Sequence, residues 1–226
     1  MTTQHLWHGV ILIMMSLTGM ACNATAPPAD DLPQPKMDWP AQDDASPQTV
    51  VFANGCFWCS EAVFEQLKGV TQVVSGYAGG TANHAHYDHV SQGATDHAEA
   101  IAITYDPAQI TYAQLLRIFF TTHDPTTLNR QGPDHGRQYR SAVFFTDPQQ
   151  QTVTQAYIDQ LDAAQVFASP IVTTLEPLDT FYPAEVYHQD FVQKHPDHPY
   201  VKAQALPKVR KVQKRFADQL KNQPSD

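Results

Sequence analysis

Hydrophobic and polar residues alternate in blocks that predict regular elements through the middle of the chain. The β-branched and apolar run Thr49–Ala53 indicates a strand, because it stops at a turn-forming Asn-Gly pair. An apolar stripe at helical spacing begins near Cys56 or Phe57 and is closed by Gly69. A second strand, Val70–Gly80, then ends in glycines.

Three further elements follow in the same part of the chain. Apolar residues alternate along Ala98–Pro107, as in a strand, and recur at helical spacing along Thr111–Pro125. Another apolar strand covers Ser141–Pro148. The order β-α-β-β-α-β is that of a ferredoxin-like unit. The sequence therefore predicts an α/β fold of the α+β type, a two-layer sandwich with both helices on one face of the sheet.

Long connections and a C-terminal extension surround this core. The loops Gly76–His97 and Thr121–Arg140 are too long to be simple connections, so we expect them to be functional. A polar helix is predicted over Gln149–Ala164 and a strand over Ile171–Leu178. Residues 207–221 form a basic amphipathic helix, which we expect to be a solvated, loosely docked tail.

The first 48 residues differ in composition from the rest. The apolar run Gly9–Ala21 is too short to span a bilayer and has the length of a signal-peptide core, although no Lys or Arg precedes it. We assign residues 1–26 to a signal peptide, against the alternative of a disordered N-terminus with a chance apolar patch. Residues 27–48 are rich in Pro and Asp and predict a flexible linker, and one folded domain then covers 49–226.

Cys22 directly follows the apolar run, where bacterial lipoproteins carry an acylated cysteine. The match to that signal is loose, because Gly19 stands where Leu is usual, and cleavage after Ala24 competes with it. We therefore expect an exported bacterial protein, either periplasmic or attached to the envelope membrane through Cys22. Disulfides can form in that compartment.

Size and charge limit the classes of protein and partner. A chain of 226 residues is long enough for one sizeable domain, and we expect it to act as a monomer. A formal net charge of −9 offers no basic surface for phosphate backbones, which argues against nucleic acid as a partner.

Two of the three cysteines, Cys56 and Cys59, are separated by two residues in the stretch NGCFWCSE. Cys56 is predicted at the junction between a strand and a helix N-terminus, where unpaired N–H groups and the helix dipole favour an anion. We therefore expect the pKa of its thiol to be lowered. Because Cys59 lies one helical turn along, it can attack an oxidised Cys56, and the pair favours redox chemistry over a buried inert cysteine.

A zinc site and a thioredoxin-like fold are the structural alternatives. A C-x-x-C motif is half of a zinc site, and His84, His86, His89 and His97 could supply the remainder. No second C-x-x-C occurs, however, and these histidines are not at recognised ligand spacing. A thioredoxin-like fold would place the motif in a parallel βαβ unit without the two long polar loops. We expect no metal site.

Six sequence blocks resemble the peptide methionine sulfoxide reductase A family, in one order over roughly residues 49–200. The blocks are GCFWCSE (Gly55–Glu61), GYAGG (Gly76–Gly80), YDHV (Tyr87–Val90), HAEAIAITYDP (His97–Pro107), HDPTTLNRQGPDHGRQYRSAVF (His123–Phe144) and FYPAEVYHQDF (Phe181–Phe191). Together they are far more specific than one C-x-x-C motif.

The resemblance implies roles for individual residues. Cys56 corresponds to the family's nucleophile, and Phe57 and Trp58 correspond to its pocket for the substrate methyl group. Glu99 corresponds to the family's acid. Because Glu99 starts a strand among apolar residues, desolvation is expected to raise its pKa so that it holds a proton to donate.

The same resemblance implies a mechanism. Tyr87 and Tyr139 match the tyrosines that hydrogen-bond the sulfoxide oxygen, and Asp134 completes this polar set. The Cys56 thiolate attacks the sulfoxide sulfur while Glu99 protonates the departing oxygen. Methionine leaves, and Cys56 remains as a sulfenic acid that condenses with a nearby thiol to a disulfide.

The second thiol is expected to be Cys59. Many family members carry a resolving cysteine near the C-terminus, but no cysteine occurs from Val201 onward, and Cys22 lies before the linker. The resemblance also implies that the enzyme needs no cofactor and is recycled by thioredoxin or a similar dithiol protein. Its implied substrate is methionine S-sulfoxide, either free or in oxidised proteins, so that the enzyme repairs oxidative damage.

One alternative function belongs to a different class. The histidines His84, His86 and His89 lie close together in one loop. They leave open a non-enzymatic, His-rich metal-binding module of the cell envelope.

Overall fold

A six-stranded sheet forms the centre of the molecule. A computed structural model describes residues 32–40 and 46–222. The strands of the sheet are β1 (Gln48–Asn54), β2 (Val70–Ala78), β3 (Ala98–Tyr105), β6 (Ser141–Phe145), β7 (Thr174–Pro177) and β8 (Tyr182–Pro183), and a separate hairpin comprises β4 (Arg130–Gln131) and β5 (Asp134–His135). The order across the sheet is β7-β6-β1-β3-β2-β8, with only the β6–β7 pair parallel.

Six α-helices accompany the strands in the described part of the chain. They are α1 (Phe57–Phe64), α2 (Tyr87–Val90), α3 (Tyr112–Thr122), α4 (Pro148–Ala163), α5 (Phe191–Lys194) and α6 (Leu206–Arg215). The elements β1-α1-β2-β3-α3-β6 reproduce the predicted order, and their strands lie antiparallel in the sequence β6-β1-β3-β2. The predicted ferredoxin-like core is confirmed.

The main hydrophobic core lies between the sheet and its helices. Phe52 on β1 contacts Phe64 on α1 and Phe119 on α3, with ring centroids 5.9 and 5.0 Å apart. All three side chains are buried. The helical spacing seen in the sequence therefore marks the face that each helix turns toward the sheet. Burial of each of these rings contributes on the order of 2–3 kcal/mol.

Local signals fix where α3 begins. The Thr111 side chain accepts a hydrogen bond from Gln114 N–H, and the Gln114 side chain accepts one from Thr111 N–H, which completes a capping box. The helix ends at His123, whose imidazole is buried between the Phe119 carbonyl and the Ser141 hydroxyl. Burial lowers the pKa of His123 to about 3, so this histidine is a neutral structural group.

The C-terminal segment differs from the expected loosely docked tail. Val212 and Phe216 are buried, and α6 contacts both α1 and α3. The guanidinium of Arg117 on α3 lies 5.4 Å from the centre of the Phe216 ring. The basic residues lie on one side of α6 and the apolar stripe on the other, so the prediction gave too much weight to charge and too little to the stripe.

Residues 32–40 also differ from the flexible linker expected over 27–48. Leu32 and Trp39 are buried, and Trp39 lies edge-on to Tyr112 at 5.8 Å. The Leu32 carbonyl accepts a hydrogen bond from Arg117 at 2.8 Å. Two buried apolar side chains, together with hydrogen bonds from Arg117 on α3 and from Tyr157 and Gln160 on α4, thus hold this Pro-rich stretch against the two helices. The predicted signal peptide, Cys22 and residues 41–45 lie outside the described residues.

No helix within the described ranges has both the length and the apolar character needed to cross a bilayer.

Candidate active site

A tight turn through Gly55 places Cys56 at the start of α1. Gly55 links β1 to the helix with a φ of +95°, a conformation that side-chain-bearing residues rarely adopt. A Cβ at this position would lie 2.7 Å from the Gln131 side chain. Cys56 is the N-cap residue of α1, and only 7% of its surface is exposed. The turn therefore aims the thiol inward from the helix N-terminus.

A pocket of about 200 Å³ opens in front of this thiol. Its lining comprises Cys56, Phe57, Trp58, Tyr87, Glu99, Asp134, Tyr139 and Tyr200. Seven of these eight residues were predicted from the sequence. The two long loops supply three of them, because Tyr87 lies on α2 and the segment containing Asp134 and Tyr139 follows α3. The predicted functional loops thus close over the C-terminal end of β1.

Glu99 is a buried carboxyl on β3 that faces the start of α1. Its Oε2 accepts a hydrogen bond from Phe57 N–H at 3.1 Å. Burial raises the pKa of Glu99 to about 8, the charges of Asp134 and Cys59 act in the same direction, and the Phe57 hydrogen bond opposes them. The expected rise is confirmed. At neutral pH the carboxyl is therefore mostly protonated and holds a proton to donate.

The expected lowering of the Cys56 pKa is wrong. Burial raises the pKa of the Cys56 thiol well above its ordinary value, and a hydrogen bond with Cys59 and the charges of Cys59 and Glu99 add to the rise. Desolvation in the closed pocket therefore outweighs the helix N-terminus. The hydrogen bond from Cys56 instead lowers the pKa of Cys59 to about 7, against its own burial.

Cys59 lies behind the pocket, not in its lining. It is buried on α1, one turn after Cys56, and both cysteines are free thiols in hydrogen-bonding contact. The predicted proximity of the two sulfurs is therefore present in the fold. An oxidised Cys56 sulfur would have this second thiol directly beside it.

Two tyrosines, Tyr87 and Tyr139, line the pocket together with Glu99. Burial raises the pKa values of Tyr87 and Tyr139, and the charge of Glu99 is the next contribution to each. Both phenols therefore stay protonated and can donate hydrogen bonds. The Tyr87 N–H donates to the Glu185 carboxylate at 3.0 Å, which fixes the position of the tyrosine backbone.

An aromatic wall borders the other side of the pocket. Trp58 stacks on Phe191 with ring centroids 3.7 Å apart, and its indole N–H donates to Nδ1 of His188 at 3.1 Å. Burial lowers the pKa of His188, against the opposing charge of Glu185, so the neutral ring can accept this hydrogen bond. His188 and Phe191 lie in the block FYPAEVYHQDF, but the sequence analysis gave them no role.

Tyr200 is the lining residue that the sequence analysis missed. Its hydroxyl donates to Asp134 Oδ2 at 2.5 Å. Asp134 is presented by the β4–β5 hairpin, whose turn carries Gly132 at a φ of +57°. Tyr200 belongs to the stretch HPYV, where the absence of a cysteine had been noted but the tyrosine had not.

The histidines of the metal-binding alternative do not form a ligand set. His84, His86 and His89 are exposed, and their neighbouring ring centres lie 5.9 and 6.1 Å apart. Among residues 32–40 and 46–222, the one cluster with ligand atoms close enough to hold a metal is Glu61, Glu65 and Asp190, which contains no histidine. The geometry therefore disfavours a His-rich metal module.

Comparison with known proteins decides the family. Residues 48–220 match the family model for peptide methionine sulfoxide reductase. A relative from Synechocystis sp., peptide methionine sulfoxide reductase MsrA 2, is 57% identical over 177 residues, covering 78% of this chain and 83% of the relative. The chain belongs to the peptide methionine sulfoxide reductase A family. The MsrA of Deinococcus radiodurans is 48% identical over 180 residues, covering 80% of this chain and 87% of that protein.

Solved structures of reductase A proteins share the fold. The reduced form of Mxr1 from Saccharomyces cerevisiae aligns with a TM-score of 0.62 and 31% identity, covering 72% of this chain and 92% of Mxr1. Methionine sulfoxide reductase A of Corynebacterium diphtheriae aligns with a TM-score of 0.59 and 31% identity, covering 75% of this chain and 85% of that chain. The resemblance stated from the sequence blocks is confirmed at the level of family and fold.

Proposed function

We propose that this chain reduces methionine S-sulfoxide, both free and in oxidised proteins, and so repairs oxidative damage. The observation that carries the proposal is a single pocket in which the Cys56 thiol, a protonated Glu99 and two tyrosine hydroxyls converge beside an aromatic wall. That pocket lies in a member of the reductase A family.

The pocket offers separate places for the parts of a sulfoxide. The methyl group lies against Phe57 and Trp58, and the oxygen lies toward Glu99, Tyr87 and Tyr139. This arrangement leaves the sulfur facing the Cys56 thiol. Because a sulfoxide sulfur is chiral, exchanging its methyl group and oxygen would bring the polar oxygen against the aromatic wall. A preference for one epimer follows.

In the first half-reaction, the Cys56 sulfur attacks the sulfoxide sulfur and Glu99 gives its proton to the oxygen. The sulfoxide S–O bond breaks, and an S–O bond forms on Cys56. The products are methionine and a Cys56 sulfenic acid. The proton lost by the Cys56 thiol replaces the one given by Glu99. The electrons come from the thiol itself, so the step requires no cofactor.

In the second half-reaction, Cys59 attacks the Cys56 sulfenic acid. An S–S bond forms, the S–O bond breaks, and the oxygen leaves as water. Thioredoxin or a similar dithiol protein then reduces the disulfide by exchange. The contact between the two sulfurs supports this assignment.

Turnover with separate epimers tests the proposed function. With dithiothreitol as reductant, we expect the protein to convert methionine S-sulfoxide and leave the R epimer unchanged. Equal use of both epimers would contradict the proposed fit, and no use of either would overturn the activity.

The Cys59→Ser variant is expected to release one methionine per chain but not to recycle with thioredoxin. Its Cys56 sulfenic acid forms normally, because Cys59 does not line the pocket. The disulfide that thioredoxin reduces cannot form, however. Counting methionine released per chain with and without thioredoxin checks this. Full recycling by the variant would show that the reductant attacks the sulfenic acid directly.

We propose, in addition, that the protein is exported and acts as a monomer in the periplasm or attached to the envelope membrane. The apolar run Gly9–Ala21, followed by Cys22, supports export with or without an acyl anchor. Mass spectrometry of the N-terminus of protein recovered from the envelope distinguishes acylated Cys22 from cleavage after Ala24. An uncleaved N-terminus in the cytoplasm would contradict export.

A further inference from the structure

The C-terminal segment brings a tyrosine, not a cysteine, to the redox pair. Tyr200 directly precedes a short π-helix, Val201–Ala205, whose first and last residues are fully buried. Its ring meets Trp58 edge to face at 5.9 Å. Tyr200 is therefore fixed by packing on both sides and does not hang from a mobile tail.

The Tyr200 hydroxyl connects the acidic and the thiol groups of the site. It donates to Asp134 Oδ2 and also makes hydrogen-bonding contact with the sulfurs of Cys56 and Cys59. A phenol has one proton, so it donates to only one of these groups at a time. Both sulfur contacts favour the charged form of sulfur, since Tyr200 lowers the pKa of each thiol.

The charged and titratable groups around Cys59 come from five segments, one of which is β3, whose Glu99 interacts with Cys59 electrostatically. Cys56 lies on the same helix, and Lys208 on α6 and Tyr200 act to lower the Cys59 pKa. Burial and the Asp134 carboxylate on β5 act to raise it. Apart from Cys56, the groups that favour a Cys59 thiolate are Tyr200 and Lys208. Both come from the C-terminal segment.

We propose that Tyr200, assisted by the positive charge of Lys208, activates Cys59 as the resolving thiol. The Tyr200 hydroxyl turns from Asp134 to donate to the Cys59 sulfur, and holds it as a thiolate directed at the Cys56 sulfenic acid. This inference rests on the proposed function, because it concerns the second half-reaction.

The step balances without a proton from Tyr200. The Cys59 thiol loses its proton to solvent, and its sulfur lone pair forms the S–S bond. The Cys56 S–O bond breaks, and the leaving hydroxide takes the Glu99 proton to become water. Tyr200 stabilises the attacking sulfur and remains protonated. The substrate oxygen has its own donors in Glu99, Tyr87 and Tyr139, so Tyr200 affects the first half-reaction only through its contact with the Cys56 sulfur.

Single-turnover kinetics of Tyr200→Phe without an external reductant test the proposal. We expect disulfide formation to slow at least about tenfold more than methionine release, as for loss of a hydrogen bond to a charged group. Methionine release slows by less, and only because Tyr200 also contacts the Cys56 sulfur. The Cys56 sulfenic acid should accumulate and be trapped by dimedone. The pH profile of disulfide formation should move to higher pH, because Cys59 would ionise less readily.

Matched variants separate this role from a structural one. Tyr157→Phe removes a hydroxyl that donates to the Pro33 carbonyl outside the pocket, so both half-reactions should be unchanged. Equal slowing of both half-reactions in folded Tyr200→Phe, or unchanged disulfide formation, would overturn the proposal.

A second variant keeps the proposal testable should Tyr200→Phe not fold. In Lys208→Gln the pH profile of disulfide formation should also move upward while methionine release is unaffected, and an unmoved profile would overturn the proposed activation. Absence of methionine release from the wild-type protein would instead overturn the proposed function.

Discussion

The Cys56→Ser variant is expected to release no methionine from methionine S-sulfoxide, even with dithiothreitol present. Serine is similar in size, but its hydroxyl is a poor nucleophile toward sulfur and cannot become a sulfenic acid. We expect a loss of at least about 10⁴-fold, the order found when a covalent nucleophile is removed. Chromatography of methionine released by equal amounts of the two proteins measures the loss.

Cys59→Ser is the matched control for this substitution. It makes the same change of sulfur to oxygen one helical turn away, outside the pocket lining. The control should therefore retain the first methionine release. Turnover by a folded Cys56→Ser protein would place the nucleophile elsewhere and refute the assignment of Cys56.

The Glu99→Gln variant is expected to slow the first methionine release by about 10²–10⁴-fold, the range for loss of a general acid. Glutamine keeps an oxygen that can accept the Phe57 N–H, but it has no acidic proton for the sulfoxide oxygen. Rapid-quench measurement of the first turnover isolates this step from reductant chemistry.

Glu65→Gln provides a comparison for the loss of a carboxyl. Burial, with the charge of Asp190, also raises the pKa of Glu65, to about 7, but this residue lies outside the pocket lining. Its variant should reduce the sulfoxide at the wild-type rate. An unchanged rate in Glu99→Gln would mean that Tyr87, Tyr139 or water supplies the proton.

Stability measurements test the protonation of Glu99 independently of activity. The folded protein holds the Glu99 proton up to a pKa of about 8, whereas an unfolded chain releases it near the ordinary glutamate pKa of 4.5. Between these values the contribution of Glu99 to stability falls by about 1.4 kcal/mol per pH unit as pH rises. Relative to Glu99→Gln, the wild type should therefore lose free energy of unfolding between pH 5 and pH 8. A constant difference would contradict a raised pKa.

Patterns within single elements were sufficient to predict the core of the fold. The run Thr49–Ala53 predicts one strand, and the apolar stripe after Cys56 predicts one helix together with its buried face. Because each pattern lies within a single element, the β-α-β-β-α-β order followed from spacing alone. The packing of α6 was missed because its Lys and Arg residues dominate the composition, whereas Val212 and Phe216 determine its contact with the core.

The electrostatics of the site could not be derived from one segment. The position of Cys56 at a helix start was predicted correctly, but its pKa depends on burial by remote segments and on the charge of Glu99, which lies on β3. Tyr200 reaches the pocket from the C-terminal segment, and no local pattern marks it among the tyrosines of the chain. The family resemblance supplied the roles of Glu99 and Asp134, which spacing alone would not have supplied.

The most direct test of the central claim is the covalent state of the wild-type protein after one turnover. The protein is mixed with excess methionine S-sulfoxide and no reductant, and methionine release and digested peptides are quantified together. The account predicts one methionine per chain and a disulfide between Cys56 and Cys59 in the same peptide. Methionine release without that disulfide, or a disulfide that involves Cys22 instead, would contradict it.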